Sequence, residues 1–245
     1  MEWLVNQPGG ARVTDVAAAF AQPRSNAHRT LQTLAHCGWA VQSAADSTYR
    51  PSLKLFSLGA LVNEAADLKT LLHPLLGELA ARSGETIHLA VLEEREIVYL
   101  DKFDSPLPVA AYSRIGGRAP AYCVASGKVL LAALDLDGPT LAQRLGTLQQ
   151  YTPNTLTDID KLGADIVQVR RRGWAENREE WRLGVCGLGA AVLNARGEAV
   201  AAVGMSVPAI RFTRVRARDL AKQVCNCALQ SSEALGYHPR GAVKA

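Results

Sequence analysis

Six polar side chains that can read nucleic-acid bases cluster within one predicted helix. They are Arg24, Ser25, Asn26, His28, Arg29 and Gln32. Side chains of these types form hydrogen bonds with guanine and adenine edges and with phosphate oxygens. On the other face of the segment, Ala27, Leu31 and Leu34 recur at helical spacing. The pattern predicts a helix that packs on a small core and presents a polar face to DNA.

A shorter helical pattern at Val16, Ala17 and Phe20 precedes this helix, and a break at 21–23 separates the two. This layout is typical of a helix-turn-helix. We expect Thr14 to cap the first helix and Pro23 to lie in the first turn of the second, where its missing N–H removes no helical bond. Two short amphipathic helices also occur in proteins that never bind nucleic acid, so the motif alone leaves both alternatives open.

A predicted hairpin follows the second helix. Gly38 is a typical residue for the end of a helix, and strands at 39–42 and 48–50 flank a polar turn. A helix-turn-helix followed by a hairpin is a winged helix. Arg50 then either contacts the DNA backbone or minor groove or is simply a solvated arginine. Because 1–5 resembles the last turn of a helix, we expect the first helix of this domain to be short.

Composition permits DNA binding without proving it. The chain has 245 residues, a net charge of +4, a pI near 8.9 and 48% hydrophobic residues, values that many mildly basic globular proteins share. The five cysteines show no disulfide-framework spacing and no signal peptide is apparent, so we expect a cytoplasmic protein. The most apolar stretch, 188–207, is interrupted by charged residues, and no membrane span is expected.

The rest of the chain alternates between helical and strand periodicity. We expect a linker helix at 53–67 and a second helix at 68–81, and then an α+β domain with an antiparallel sheet and flanking helices. The predicted strands are Thr86–Leu92, Ile97–Lys102, Val109–Tyr112, Leu188–Leu193 and Ala199–Ser206. The predicted helices are Ala125–Leu134, Thr140–Leu148, Ile159–Arg172 and Val215–Leu235.

Three segments in this order resemble the isocitrate lyase regulator (IclR) family of bacterial transcription factors. They are GGRAPAYCVASGKVLLA at 116–132, RRGWAENREEWRLGVCGLGAAV at 171–192 and AVGMSVP at 202–208. The resemblance implies a winged helix-turn-helix DNA-binding domain at 1–52, a linker helix at 53–67 and a GAF-like effector-binding domain at 68–245. It also implies a homodimer or homotetramer on double-stranded operator DNA, controlled by a small organic acid, with no enzymatic activity and no cofactor.

The resemblance also implies an effector pocket. The backbone at Ala125 and Ser126 would offer N–H groups to a carboxylate, and Ser206 would form a hydrogen bond with the ligand. Ala111, Ala119 and Val185 correspond to apolar walls, and Tyr122 lies inside a pocket motif. Tyr122, Trp174 and Trp181 either stack on an aromatic ligand or pack within the domain.

Three pocket positions depart from the family pattern. Asn177, Gly187 and Gly204 stand where better-studied relatives have an aspartate, a cysteine and a serine. The exchanges predict a roomier, less polar pocket. We therefore expect an effector larger than a two- or three-carbon oxoacid, with aromatic acids as candidates.

Two other functions remain open at this stage. An acid-binding enzyme could use Cys123 as a nucleophile with His88 as its base, the winged helix serving as an interaction module. A metal or thiol sensor could use Cys225 and Cys227. However, residues two apart on a helix point to roughly opposite sides, so we expect no metal site there.

Overall fold

The computed structural model describes residues 1–61, 64–110 and 113–238. The chain divides into two compact units, Met1–Asp67 and Leu68–Ala245. In the described residues no helix is long and apolar enough to cross a membrane.

The first unit is a winged helix-turn-helix. Its elements are α1 (Glu2–Val5), α2 (Val13–Ala19), α3 (Arg24–His36), β1 (Ala40–Gln42), β2 (Tyr49–Pro51) and α4 (Lys54–Leu61). The strands pair antiparallel, with Val41 opposite Arg50. Apolar side chains from all but the last of these elements form one small core: Leu4, Ala11, Val16, Ala17, Ala27, Leu31, Ala40 and Tyr49.

The residues that cap the starts of α2 and α3 differ from the prediction. Thr14 lies inside α2, and the cap is Arg12, whose backbone N–H donates to the Asp15 carboxylate at 2.8 Å. The Asp15 carboxylate is negatively charged and lies in the first turn of the helix. It therefore accepts a hydrogen bond from the free Arg12 N–H more strongly than the Thr14 hydroxyl could. Pro23 is the cap of α3 and precedes its first turn.

The second unit begins in α5 (Glu64–Ser83), which contains the predicted helix at 68–81. The predicted linker helix at 53–67 is divided between α4 and α5, and residues 62 and 63 lie outside the described residues. Leu72, Leu76 and Leu79 are fully buried on one face of α5. The helix therefore packs onto the sheet that follows it.

This sheet has six antiparallel strands in the order β5-β4-β3-β8-β7-β6 among the described residues. The strands are β3 (Thr86–Glu93), β4 (Glu96–Phe103), β5 (Arg118–Pro120), β6 (Ala175–Arg178), β7 (Val185–Leu193) and β8 (Ala199–Pro208). The predicted strand at 109–112 is wrong at Val109 and Ala110, which are irregular, and residues 111 and 112 lie outside the described part. β5 pairs with β4 in its place.

Helices cover both faces of the sheet. α5 and α9 (Arg214–Ala234) enclose one core with side chains of β3, β7 and β8. The opposite face is covered by α6 (Ala125–Ala133), α7 (Gly138–Leu145) and α8 (Ile159–Arg172). The predicted α+β class is confirmed, and the cavity described below lies on the α6 side of the sheet.

Candidate functional site

The exposed face of α3 carries the polar residues that the sequence singles out. Arg24, Ser25, Asn26, His28, Arg29 and Gln32 are all exposed. Ala27 and Leu31 are buried in the small core, with relative exposures of 0% and 2%. None of the six side chains forms a hydrogen bond or ion pair within the described part of the chain. Their donors and acceptors are therefore available to an external partner.

The start of α3 is suited to an anion. No side chain caps it, and its first turn contains no acidic residue. The first amide groups of a helix have no internal acceptor, and the helix dipole makes this end partly positive. Together with the Arg24 guanidinium, these amides favour a phosphate at this end of α3.

The wing is held together by Asp46. Its carboxylate accepts hydrogen bonds from the Thr48 hydroxyl at 2.7 Å and from the Thr48 backbone N–H at 3.1 Å. Hydrogen bonds from Ser43 and Thr48 hold the pKa of Asp46 well below its usual range. Arg50, predicted as a DNA contact, is half exposed and lies 3.4 Å from the same carboxylate. Arg50 therefore has a partner in the wing and still faces solvent.

Cys37 directly follows α3 and is exposed. Its backbone carbonyl accepts a hydrogen bond from Lys54 Nζ at 2.8 Å, and the same ammonium group lies 5.1 Å from the centre of the Trp39 ring. These contacts join the end of α3 to the start of α4 and leave the Cys37 thiol facing solvent.

In the second unit, two sets of residues that pair across neighbouring strands lie on the sheet beneath α6. Each set is called a row here. One row pairs Asn177 with Gly187 and Gly187 with Ser206. The neighbouring row pairs Gly189 with Gly204 and Gly204 with His88. Small residues in the middle of each row leave a depression, which we call the sheet cavity. Its described walls include His88, Tyr99, Ser113, Val124, Ala125, Ser126, Asn177, Trp181, Arg182, Val185, Gly187, Gly204 and Ser206.

Two glycines allow α6 to begin at the edge of the sheet cavity. A Cβ on Gly189 would lie 2.7 Å from the Ser126 backbone nitrogen, and one on Gly127 would lie 2.2 Å from the Ala121 carbonyl oxygen. Real Cβ contacts are not that short, so both positions require glycine. The close approach brings the N-terminus of α6, which no side chain caps, to the cavity. Its free amide groups can therefore bind a carboxylate.

His88 forms the polar floor of the cavity. Its Nε2 lies 2.8 Å from Ser206 Oγ and its Nδ1 lies 3.3 Å from Ser113 Oγ. The ring also packs on Tyr99 with 4.9 Å between ring centres. Burial, followed by the positive charge of Lys102, lowers the pKa of His88 to about 4. The imidazole is therefore neutral near pH 7 and can both donate and accept hydrogen bonds.

The expectation of a roomier, less polar pocket stays a prediction, and the structure shows which side chains lie near the two glycines. A Cβ on Gly187 would lie 2.4 Å from Asn177 Oδ1, and one on Gly204 would lie 3.2 Å from His88 Cδ2. The Asn177 side chain thus takes up the space beside Gly187, whereas the His88 ring only makes a tight contact beside Gly204. The volume of the cavity, measured as the space open to the centre of a water molecule, is about 50 Å³.

The charge of the cavity favours an anion. Its described walls contain no aspartate or glutamate. Arg182 is exposed, stacks on Trp181 with 4.3 Å between the guanidinium carbon and the ring centre, and forms no ion pair within the described residues. The uncapped start of α6 and the Arg182 cation are both positive, and both therefore attract an anionic ligand.

The structure brings together most of the predicted effector residues. Seven line the cavity: Ala125, Ser126, Asn177, Val185, Gly187, Gly204 and Ser206. Ala119 lies in the core beneath α6, and the Tyr122 hydroxyl donates to the Gln149 carbonyl at 2.7 Å, so neither lines the cavity. Ala111 lies outside the described residues. Tyr99, Ser113 and Arg182 were missed, because only the strand register and loop contacts bring them to the cavity.

A buried lysine joins α6 to its surroundings. Lys128 Nζ lies 2.7 Å from Asp165 of α8 and 2.7 Å from Glu180, and the lysine side chain is 1% exposed. Glu180 directly precedes the cavity residues Trp181 and Arg182. Its backbone carbonyl also accepts a hydrogen bond from the Thr155 hydroxyl at 2.6 Å. The ion pairs therefore join α6 to α8 and to the segment that carries the cavity residues Trp181 and Arg182.

The structure does not pair Cys123 with His88, as thiol catalysis would require. His88 is bonded to Ser113 and Ser206, and Cys123 is not among its partners. Burial raises the pKa of Cys123 to about 12, which keeps the thiol protonated and a poor nucleophile. Burial also raises the pKa of Cys225 and Cys227. In the part of the chain that the structure describes, no cluster of histidine, cysteine and acidic residues could hold a metal ion.

Comparison with known proteins connects both units to a single family. Residues 60–233 match the family model of the bacterial transcriptional regulator IclR C-terminal domain, and residues 1–44 match the IclR helix-turn-helix domain. The HTH-type transcriptional regulator KdgR of Escherichia coli K12 is 33% identical over 226 residues, which are 92% of this chain and 86% of KdgR. The transcriptional repressor IclR of the same strain is 29% identical over 96% of this chain and 87% of its own length.

Solved structures share the fold. The crystal structure of the Thermotoga maritima IclR aligns with a TM-score of 0.77 and 29% identity over 96% of this chain and 95% of its own. An IclR homologue from Microbacterium hydrocarbonoxydans, complexed with 4-hydroxybenzoate, aligns with a TM-score of 0.81 and 22% identity over 96% and 95% of the two chains.

Proposed function

The chain belongs to the IclR family of bacterial transcriptional regulators, and from that premise we propose that it binds operator DNA through α3 and a small organic acid in the sheet cavity. Named relatives are transcriptional regulators and not enzymes. The genes under control are then a catabolic set whose substrate or product is the acid, and the protein acts in the cytoplasm. The observation that carries the proposal is the exposed, unpartnered polar face of α3 among the described residues.

The helical positions assign different tasks to the residues of that face. Ser25, Arg29 and Gln32 are spaced by four and three residues and lie opposite the buried Ala27 and Leu31. They are therefore the residues that reach base edges when α3 lies in the major groove, with Arg29 suited to guanine and Gln32 to adenine. The flanking residues Arg24, Asn26 and His28 are placed for phosphates, and Arg50 in the wing for the backbone beside the groove.

The sheet cavity supplies the effector site. Backbone amides at the start of α6 bind the carboxylate, Arg182 attracts it to the mouth, and Ser126, Asn177 and Ser206 supply hydrogen bonds. Effector binding favours one arrangement of a homodimer or homotetramer. That arrangement sets whether two copies of α3 fit half-sites about 34 Å apart on the DNA.

The test of DNA recognition is an equilibrium titration followed by fluorescence anisotropy. The DNA is the region upstream of the gene, at two salt concentrations. We expect a salt-sensitive complex with the unaltered protein and, with Arg29→Ala, an affinity about tenfold lower together with loss of discrimination at one base pair. Arg171→Ala removes the same charge from an exposed position on α8 and is the matched control.

The result separates recognition by α3 from a general charge effect. Equal losses for the two variants would mean that α3 does not read bases. A complex that ignores both Arg29 and salt would contradict DNA binding through this face.

A further inference from the structure

A groove in the second unit is separate from the sheet cavity. It lies between the end of α6, the end of α7 and the turn that joins β7 to β8, and we call it the α7 groove. Its described walls share no residue with those of the sheet cavity. Strand β8 contributes Val200 to the groove and Ser206 to the cavity. Six residues of strand span about 20 Å, so a ligand in one would not occupy the other.

Most residues that line the α7 groove are apolar. They include Leu92, Leu130, Leu134, Leu193, Ala199 and Val200. Leu134, which ends α6, is 40% exposed to solvent. The volume of the groove, measured in the same way as that of the sheet cavity, is about 610 Å³. Small-molecule sites typically have about 300–1,000 Å³, so the groove has room for a hydrocarbon chain.

The charged end of the groove has an excess of positive charge. Arg144 lines the groove and also an adjoining cavity, whose other described walls are Glu94 and Arg95. Arg95 and Arg144 are exposed and form no ion pair or side-chain hydrogen bond with any described residue. Glu198, the acidic residue of the groove itself, already pairs with Arg196 at 3.2 Å. The two unpaired guanidinium groups therefore face a single free carboxylate, that of Glu94.

We propose that the α7 groove is a second ligand site, which binds an amphiphilic carboxylate with a medium-length hydrocarbon chain. The carboxylate lies against Arg144 and Arg95, because guanidinium groups donate paired hydrogen bonds to carboxylates. The chain covers Leu134 and its apolar neighbours, and removal of that surface from water favours binding.

Charge separates this ligand from a second copy of the chain as the occupant. In a twofold contact the same surface patch meets itself, so the partner would bring its own two arginines against these. A separate anion fits the charge better. The site involves neither the polar face of α3 nor an acid in the sheet cavity, and it therefore goes beyond the proposed function.

The experiment measures binding of octanoate and of 1-octanol to the purified full-length protein by isothermal titration calorimetry. The two probes share a chain, and only octanoate is charged. We expect saturable binding of octanoate that Arg144→Gln weakens several-fold, because the substitution removes a partner of the carboxylate. Binding of 1-octanol should be weaker and should not change in Arg144→Gln. Arg171→Gln, at an exposed position on α8, is the matched control and should bind octanoate as the unaltered protein does.

A second variant fills the groove and leaves its charge in place. Ala133 is exposed and lines the groove, so the larger side chain of Ala133→Phe does not enter the core. This variant should weaken binding of both probes. Ser206→Ala, in the sheet cavity, should leave octanoate binding unchanged.

The outcomes separate the second site from its alternatives. Octanoate binding that depends on Ser206 and not on Arg144 or Ala133 would place the ligand in the sheet cavity and overturn the proposal, as would the absence of saturable binding. If Ala133→Phe instead changes the mass of the assembly in sedimentation velocity without affecting octanoate, the groove is a contact between copies and the proposal fails. Octanoate binding with the expected variant effects would support the site even if operator binding, and with it the proposed function, failed.

Discussion

At the scale of single residues, the fold keeps His88 neutral. The imidazole is buried, and burial lowers its pKa from 6.5 to about 4. Because the unfolded chain binds a proton below pH 6.5 and the folded chain does not, stability falls as the pH drops from 6.5 toward 4. Between pH 6.5 and pH 4, the titration of His88 alone lowers the free energy of unfolding by roughly 3 kcal/mol.

This behaviour gives a prediction for unfolding by urea. Between pH 7.5 and pH 5, the unaltered protein should lose about 2 kcal/mol more stability than His88→Gln, whose side chain stays neutral but retains a donor and an acceptor. The free energies of unfolding at both pH values provide the comparison. An equal pH dependence in the two proteins would show that His88 titrates normally in the folded state.

At the scale of secondary-structure elements, the position of α6 depends on glycines beneath it. Gly189→Ala places a methyl group 2.7 Å from the Ser126 backbone nitrogen, which no rotamer change can relieve. We expect a destabilisation of about 1–3 kcal/mol and loss of acid binding, measured by thermal unfolding with and without pyruvate or glycerate.

A glycine in a different setting is the control for this prediction. Gly163 lies within α8, and a methyl group added there would meet open space, with no other side chain or strand within 4 Å. Gly163→Ala should stabilise the protein by up to about 1 kcal/mol, since alanine favours helix. If both substitutions had the same effect, close packing of α6 on β7 would not be the cause.

The local sequence pattern predicted the helices and strands better than it predicted the residues that meet in the sheet cavity. Helix α8 has the predicted bounds Ile159–Arg172, because apolar spacing and the capping Asp158 define it locally. β5 was missed because a three-residue strand carries almost no periodicity. His88 and Ser206 meet although 118 residues separate them, and only the strand register places them together. For the same reason, the sequence could not show that Asn177 lies against Gly187 on the neighbouring strand.

At the scale of the whole molecule, the proposed function connects two units through ligand binding. If the acid changes DNA affinity by some factor, DNA must change acid affinity by the same factor, because the two equilibria form a closed cycle. We expect this equality when acid is titrated with and without a saturating DNA fragment, and when DNA is titrated with and without acid. Unequal factors would mean that an additional equilibrium, such as a change of oligomeric state, contributes.

The exposed end of α3 has a practical consequence for such measurements. Cys37 is exposed, whereas Cys123, Cys186 and Cys227 are buried and Cys225 is partly buried. A maleimide dye should therefore attach selectively beside α3, the helix proposed to read DNA, without any cysteine being engineered. Because Cys37 lies at the opposite end of α3 from Arg24, the label should leave the proposed phosphate-binding end free. The natural sequence thus already provides the attachment point for a fluorescent reporter of operator binding.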